Sequence, residues 1–501
     1  MSVSSIGGKA AVAVQQLVSM RAQFDDLQRQ LSTGQKSDTY AGLGLNRGVT
    51  VGLNSQLSAI GGYDNTITNV MTRINLMNTS LSRMADLGTA VKTAMVQSNT
   101  TGNSGGVNLA HQTAQSSLDE LLGLLNTQAG DRYLFSGRAT DRPAAETMDH
   151  VLNGNGAQAG LKQLISERTQ ADLGADGLGR LVIGQSNPTT VSVAEESPPT
   201  LFGLKLASVS SNLNGVSAAG PTGFPASISI DTSGGIPNVG DTITLRFTLP
   251  DGTSQNLTLT ATAASPPGAN QFTAGPTVTD TATNLQNAIA TAVTTLGATS
   301  LTAASAVSAS NDFFSADSSN PPQRVDGSPF TATGMTAGTT ANTVIWYTGD
   351  TGSDPARSTS TARIDQSLVV SYGARANEDG MRILVQNIAT LAAVTISPTD
   401  ANAAGLSNAL NQRLTANLSG TSGVQSIADI EIDLATAQSS LKAAKSRHQQ
   451  TNSTLNDLLQ QIQGVSNEQV GTELLTLQTR MQASMQTTAM LFQTSLVNYL
   501  K

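Results

Sequence analysis

At 501 residues the chain has the length of about three domains, and with no cysteine it excludes a disulfide frame, a thiol nucleophile and a Cys-ligated metal site. Its net charge is −8 with no basic patch, which argues against nucleic acid, and no run of about 20 apolar residues is present to span a membrane. Three histidines (His111, His150, His448) lie far apart without a carboxylate cluster, so no catalytic, cofactor-binding or metal-ligating set is expected.

In chain order, Ile6, Ala10, Ala13, Leu17, Met20, Phe24, Leu27 and Leu31 recur at alternating four- and three-residue steps. This predicts an amphipathic helix over 1–35, stopped near Gly34. Residues 36–52, with Gly42, Gly44 and Gly48, read as a structural loop, since no strand precedes them as a phosphate loop requires. The stripe resumes from Leu53 through Ile67, Ile74, Leu81 and Met95, interrupted at Gln56 and Gly88, and predicts a helix over 53–98. A third helix is expected over 107–129, and a hairpin over 130–144 carrying Tyr133, Leu134, Phe135, Ser136 and Gly137.

All sixteen prolines fall between Pro143 and Pro398, marking a turn-rich middle between helical flanks. Strands are expected at 227–235, 241–263, 342–350 and 363–373, with Asp251-Gly252 as a hairpin turn. Helices are expected at 280–297, 376–396 and 399–418, and a surface loop with short strands over 299–342.

From Ile427 a seam follows through Leu434, Leu441, His448, Thr451, Leu455, Leu458 and Ile462. His448 reads as a polar register or surface position, not a metal ligand. After a break at 464–467 a second run places Leu474, Leu477, Met481, Met485, Phe492, Leu496 and Leu500 on a terminal stripe. Helix lengths thus run short–long at one end and long–short at the other. Such a mirror fits termini that pair antiparallel with the middle looped out. Closing a loop of roughly 300 residues costs about 5 kcal/mol, which a few buried Leu or Ile side chains offset at roughly 1.5–3 kcal/mol each. The expected fold is α+β: long antiparallel terminal helices forming a coiled-coil bundle, with a looped-out β-rich middle.

Several stretches resemble a known family. LQRQLSTGQKSD (27–38), the run 56–87 and the tail LQTRMQASMQTTAMLFQTSLVNYL (477–500) are similar to the terminal helices of bacterial flagellins. GDRYLFSGRATDRP (130–143), WYTGD (346–350), RIDQSLVVSYGARANEDGMRIL (363–384) and the S-L-V-N-Y-L ending resemble the hook-filament junction family, the third hook-associated protein. Where that family carries an S-D-D-P-like step, this chain has Ser37-Asp38-Thr39-Tyr40.

The resemblance implies an extracellular, non-enzymatic structural subunit of the bacterial flagellum, exported by the type III route without a cleavable signal peptide. Its implied partners are copies of itself, the hook-side junction protein, flagellin or a cap on the filament side, and an export chaperone at the C-terminal helix. The expected division is 1–52 (assembly core), 53–142 (rod), 143–398 (outward domains, with 225–345 a variable insert), 399–466 (C-terminal rod helices) and 467–501 (assembly core). The assembly interface is expected at Leu17, Met20, Phe24, Leu27, Leu31, Leu474, Leu477, Met481, Met485, Phe492, Leu496 and Leu500. Two alternatives stand beside the junction reading. One is a major or minor filament flagellin. The other is a flagellin-like scaffold displaying an adhesive or enzymatic insert.

Overall fold

Long apolar stripes at both ends and alternating strands between them fold into a mixed helix-and-sheet chain. The computed structural model describes residues 3–101, 104–397, 399–420 and 422–499. Two compact units emerge: Met1–Val70, Arg363–Val370 and Ser439–Lys501 form the first, and Met71–Ala362 with Ser371–Gln438 the second.

The helical start comprises α1 (Val3–Thr33), α2 (Arg47–Thr101) and α3 (Ser104–Leu125). Helix α2 begins earlier than its apolar stripe. A 3-10 segment at Tyr40–Asn46 leads straight into it, so much of the expected loop is helical. That segment needs Gly42, because a Cβ there would fall 2.0 Å from Ser37 Oγ. Ile67, Ile74, Leu81, Met84, Val91 and Met95 of α2 are all fully buried. The gap in the stripe at Gly88 has a packing reason: a Cβ there would meet Leu384 Cδ1 at 2.8 Å.

The second unit continues with β1 (Gln128–Ala129), β2 (Arg132–Tyr133), α4 (Met148–Asn153) and α5 (Leu161–Leu173). Strands β3 (Leu181–Asn187), β4 (Thr190–Glu195), β5 (Lys205–Ser211), β6 (Ser217–Thr222), β7 (Ser227–Asp231), β8 (Thr242–Thr248), β9 (Ser254–Thr262) and β10 (Gln271–Thr273) follow. They form two four-stranded sheets, ordered β3-β4-β7-β6 and β10-β9-β8-β5. The β8–β9 hairpin turns at Asp251-Gly252 as the sequence predicts, pairing Thr242 with Thr260 and Thr248 with Ser254. Its inward Ile243, Leu245 and Phe247 are fully buried beside Leu259, while Thr244 and Thr258 bond each other at 2.8 Å on the other face.

Helix α6 (Val278–Leu296) covers this core with Leu285, Ile289 and Val293, and a π turn at Gly297–Leu301 joins it to α7 (Thr302–Ser315). Helix α7 overturns the loop expected over 299–342. Its run of Ala and Ser is buried almost all round, so it carries no amphipathic signature to read. The stretch Val278–Ser315 is long and apolar enough to cross a membrane, yet Leu285, Ile289, Val293, Phe313 and Phe314 are buried inside the protein.

The remaining elements are β11 (Arg324–Val325), β12 (Met335–Thr336), β13 (Thr361–Arg363), β14 (Val369–Ser371), α8 (Asp379–Ala393), α9 (Ala403–Leu418), α10 (Ile427–Gln463) and α11 (Asn467–Tyr499). The expected strand 363–373 is instead the short hairpin β13–β14, and 342–350 pairs only through isolated bridges at Thr343 and Tyr347.

Buried ions bind the second unit together. Asp172 has no exposed surface; it accepts from Arg168 Nε at 2.8 Å, Ser305 Oγ at 2.7 Å and the Gly203 amide at 2.8 Å. This carboxylate therefore links α5, α7 and the loop before β5. Asp251, at the tip of the β8–β9 hairpin, accepts from Arg413 Nε of α9 at 2.7 Å, and both side chains are nearly buried. The single tryptophan, Trp346, is fully buried and donates its indole N–H to Phe314 O at 3.0 Å.

Helix α10 starts at a capping box. Ser426 Oγ accepts from the Asp429 amide at 3.2 Å, and Asp429 Oδ2 accepts the Ser426 amide and hydroxyl at 2.8 Å each. These bonds, the Ser426 amide foremost, hold the Asp429 carboxyl below its ordinary pKa. A depressed carboxyl stabilises the fold above its unfolded value and loses that contribution as pH falls through the folded value. We expect amide protection in the first turn of α10, the exchange rate taken relative to an unstructured peptide at the same pH, to fall as pH drops below about 4, and Asp429→Asn to abolish that acid dependence. Unchanged acid sensitivity in the variant would refute the assignment.

Candidate functional site

Two places gather the residues that the sequence singles out. The first lies within the first unit, where α1 and α11 pack against each other. The chain breaks beside them pair antiparallel: Gln35 bridges Gly464, the Lys36 amide donates to Gln463 O at 2.7 Å, and the Val465 amide donates to Gly34 O at 3.0 Å. The end of α1 is thereby fixed beside the start of α11. Arg29 reinforces the corner by donating to Asp26 at 2.6 Å and Asp38 at 2.8 Å.

The α1–α11 seam follows the predicted phase in part. Leu17, Met20, Phe24, Leu27, Leu474 and Met481 are half-buried, and Leu477 is buried. Leu31 is exposed. Met485 and Phe492 are 48% and 52% exposed. A strict heptad carried forward from Leu477 and Met481 reaches Ser484 and then Thr488, and these polar residues sit where Met485 was expected. Leu496 lies in α11 among residues whose side chains are not described, and Leu500 lies outside the described residues.

A similar correction applies on α10. Leu434, Leu441 and Leu455 are buried as predicted, with Ile430 ahead of them, but Thr451 and Leu458 point outward and Leu459 takes the inward place. An α-helix turns every 3.6 residues, so a strict 3.5 repeat drifts off the buried face over several turns.

No described residue of α1 is buried. Two helices alone cannot shelter the apolar surface that these carry. Val12, Val14 and Val18 of α1 and Leu475 and Met490 of α11 lie uncovered, Val18 at 62%, Leu475 at 65% and Met490 at 66%. Sequence reasoning missed them because it followed the seam alone. Valines and a leucine outside the seam phase are the available signal.

His448 is buried within the first unit. Its Nδ1 donates to Asp64 Oδ1 at 2.8 Å, and its ring lies 6.0 Å from that of Tyr63. It acts as a polar register contact between α10 and α2. Among the described residues no three His, Asp or Glu side chains converge as metal ligands.

The second place is the segment 126–145, within the second unit. Rather than forming one hairpin around Ser136-Gly137, it makes a two-residue rung, β1–β2, turning at Gly130-Asp131, and then pairs with distant chain. Leu134, Phe135, Ser136 and Gly137 are buried and Tyr133 is half-buried. Phe135 O accepts from the Ala376 amide at 2.8 Å, Ser136 O from the Asp350 amide at 2.9 Å, and the Gly137 amide donates to Ala374 O at 3.1 Å. Gly137 has φ +64°, and a Cβ there would strike Asp350 Cβ at 2.8 Å. Asn126 at the end of α3 clamps the return, accepting from the amides of Ala144 and Ala145 and donating to Ala145 O.

The far side is held by ions. Arg357 pairs with Glu378, which also accepts from the Arg375 amide at 2.9 Å, and Arg138 pairs with Asp354 at 2.6 Å. Tyr347 donates its hydroxyl to Asp350 O at 3.1 Å, and burial pushes its phenol pKa well above the ordinary value. The arrangement is a structural knot: most of its polar groups are directed at backbone and at each other, while Asp350 Oδ2, Arg357 Nη1 and Arg375 Nε are buried without a hydrogen-bond partner among the described residues.

Residues 8–140 match the family model of the bacterial flagellin N-terminal helical region. The match covers most of α1, all of α2 and α3 and the segment as far as residue 140, about a quarter of the chain, and supports the bacterial flagellin superfamily, a structural family. No curated protein matches.

Proposed function

We propose that this chain is an exported structural subunit of the bacterial flagellum that joins hook to filament. One observation carries the reading: helices from opposite ends of the chain lie together, yet no described residue of α1 is buried and valines and Leu475 beside the seam stay uncovered. Such a pair gains most by packing against sister subunits as coiled coils. The match over residues 8–140 supports a structural flagellar subunit that self-associates outside the cell.

The junction role is favoured by the segment 130–143 and its similarity to the hook-filament junction family, read together with its knot onto 346–350 and 373–376. On this reading, residues 1–52 and 467–501 form the assembly core, 53–142 and 399–466 the rod, and 143–398 the outward part. An export chaperone covers the C-terminal helix before assembly. The hook-side junction protein lies on one side, and flagellin or a cap on the other.

Immunogold labelling of isolated flagella tests this directly. The expected result is a single band at the hook end. Gold distributed along the whole filament would instead assign a filament flagellin.

A further inference from the structure

A cleft of about 310 Å³ opens within the second unit between the β8–β9 turn and helices α7, α8 and α9. From its lining we propose that it binds a neutral saccharide of one or two rings. The size lies at the lower end of small-molecule sites, which run to roughly 300–1,000 Å³.

The charges at the cleft are already neutralised. Asp251 is held by Arg413 at 2.7 Å, and Arg382 donates to Asp379 at 2.7 Å and to Ser315 Oγ at 3.2 Å. Among the described residues lining the cleft, no free cation is left for an anionic ligand and no free carboxylate for a cationic one. Asn387 is also committed, donating to Ile383 O at 2.7 Å and accepting from Asn417 Nδ2 at 3.1 Å.

What remains is neutral and polar. Gln386 is only 6% exposed and lines the cleft, yet its carboxamide has no protein partner among the described residues. Asn311 and Ser308 of α7 line the facing wall, also without side-chain partners among the described residues. A carboxamide presents donor and acceptor side by side, the complement of neighbouring hydroxyls that each both donate and accept. Two such amides and a hydroxyl, in a cleft with its charges cancelled, suit a polyhydroxyl ring better than a lipid or an ion. The inference does not depend on the flagellar reading.

Titration of the full-length chain with N,N′-diacetylchitobiose and with maltose, followed by calorimetry, tests it. Saturable binding of at least one sugar in the low millimolar range is expected. Each lost hydrogen bond weakens binding by about 5–10-fold, so Gln386→Leu combined with Asn311→Leu should weaken it by roughly 25–100-fold. Emission from buried Trp346 reports whether the variant folds. Asn311→Leu alone, at an exposed position of α7, keeps the test decisive if the double variant does not. Absence of saturable binding of both sugars up to about 50 mM would overturn the proposal. So would wild-type affinity in the variants, or tighter binding of N-acetyl-trialanine amide, which would assign the cleft to peptide.

Discussion

Leu475→Asp is expected to yield a subunit that folds, is exported and fails to assemble. Leu475 is 65% exposed on α11, outside the seam with α1, so a carboxylate there meets water in the free chain. Against a sister subunit the same charge would be buried without a partner. Even about 3 kcal/mol per contact lowers each association constant by roughly 10²-fold. Leu477→Asp with Met481→Asp should also abolish assembly, but by another route, because Leu477 is buried within the α1–α11 pair and its replacement splits the two helices. Helix content by circular dichroism separates the two cases: unchanged for Leu475→Asp, reduced for the double variant. A null strain that swims normally with Leu475→Asp would show that this face touches no neighbour.

Asp172→Ala should cause a large loss of stability in the second unit. Its carboxylate satisfies Arg168, Ser305 and the Gly203 amide with no exposed surface of its own. Removing it strands a guanidinium and an amide and leaves a small void; breaking a buried pair in this way typically costs about 3–5 kcal/mol. Asp172→Asn keeps acceptor capacity for one of these donors and should cost roughly half as much. Thermal or urea unfolding followed through Trp346 fluorescence gives the measurement. A midpoint for Asp172→Ala within experimental error of the unmutated chain would refute the role given to this carboxylate.

The terminal helices were legible because their stripes are long, free of proline and regular: Ile67, Ile74 and Leu81 land inward as spaced. The Asp251-Gly252 turn was legible for a local reason, since its residues prefer that geometry whatever surrounds it. Helix α7 was not, because small apolar residues on every side look like a loop when buried and exposed faces do not differ. Strands β3, β5 and β6 were missed because Gly184, Ser208, Gly220 and Pro221 break the alternation by which a strand is recognised, and β4 was missed although Val191 and Val193 alternate with Ser192. The segment 130–143 was marked as distinctive, but its partners at 346–350 and 373–376 lie more than two hundred residues away, and no local pattern encodes that pairing. On α1 and α11 the seam could be read, while the uncovered valines showed only as apolar residues outside its phase, because exposure depends on which neighbour is present.

The bond from Asp251 to Arg413 gives the hairpin tip a mechanical role. A module tethered only through its two connecting strands would swivel under shear, whereas this one is packed on α6 and α7 and its hairpin tip is also riveted to a helix outside its own sheets. Tension on the hairpin is passed directly into α9 rather than dissipated in the linkers, so the sheet module and that helix bear load as one piece.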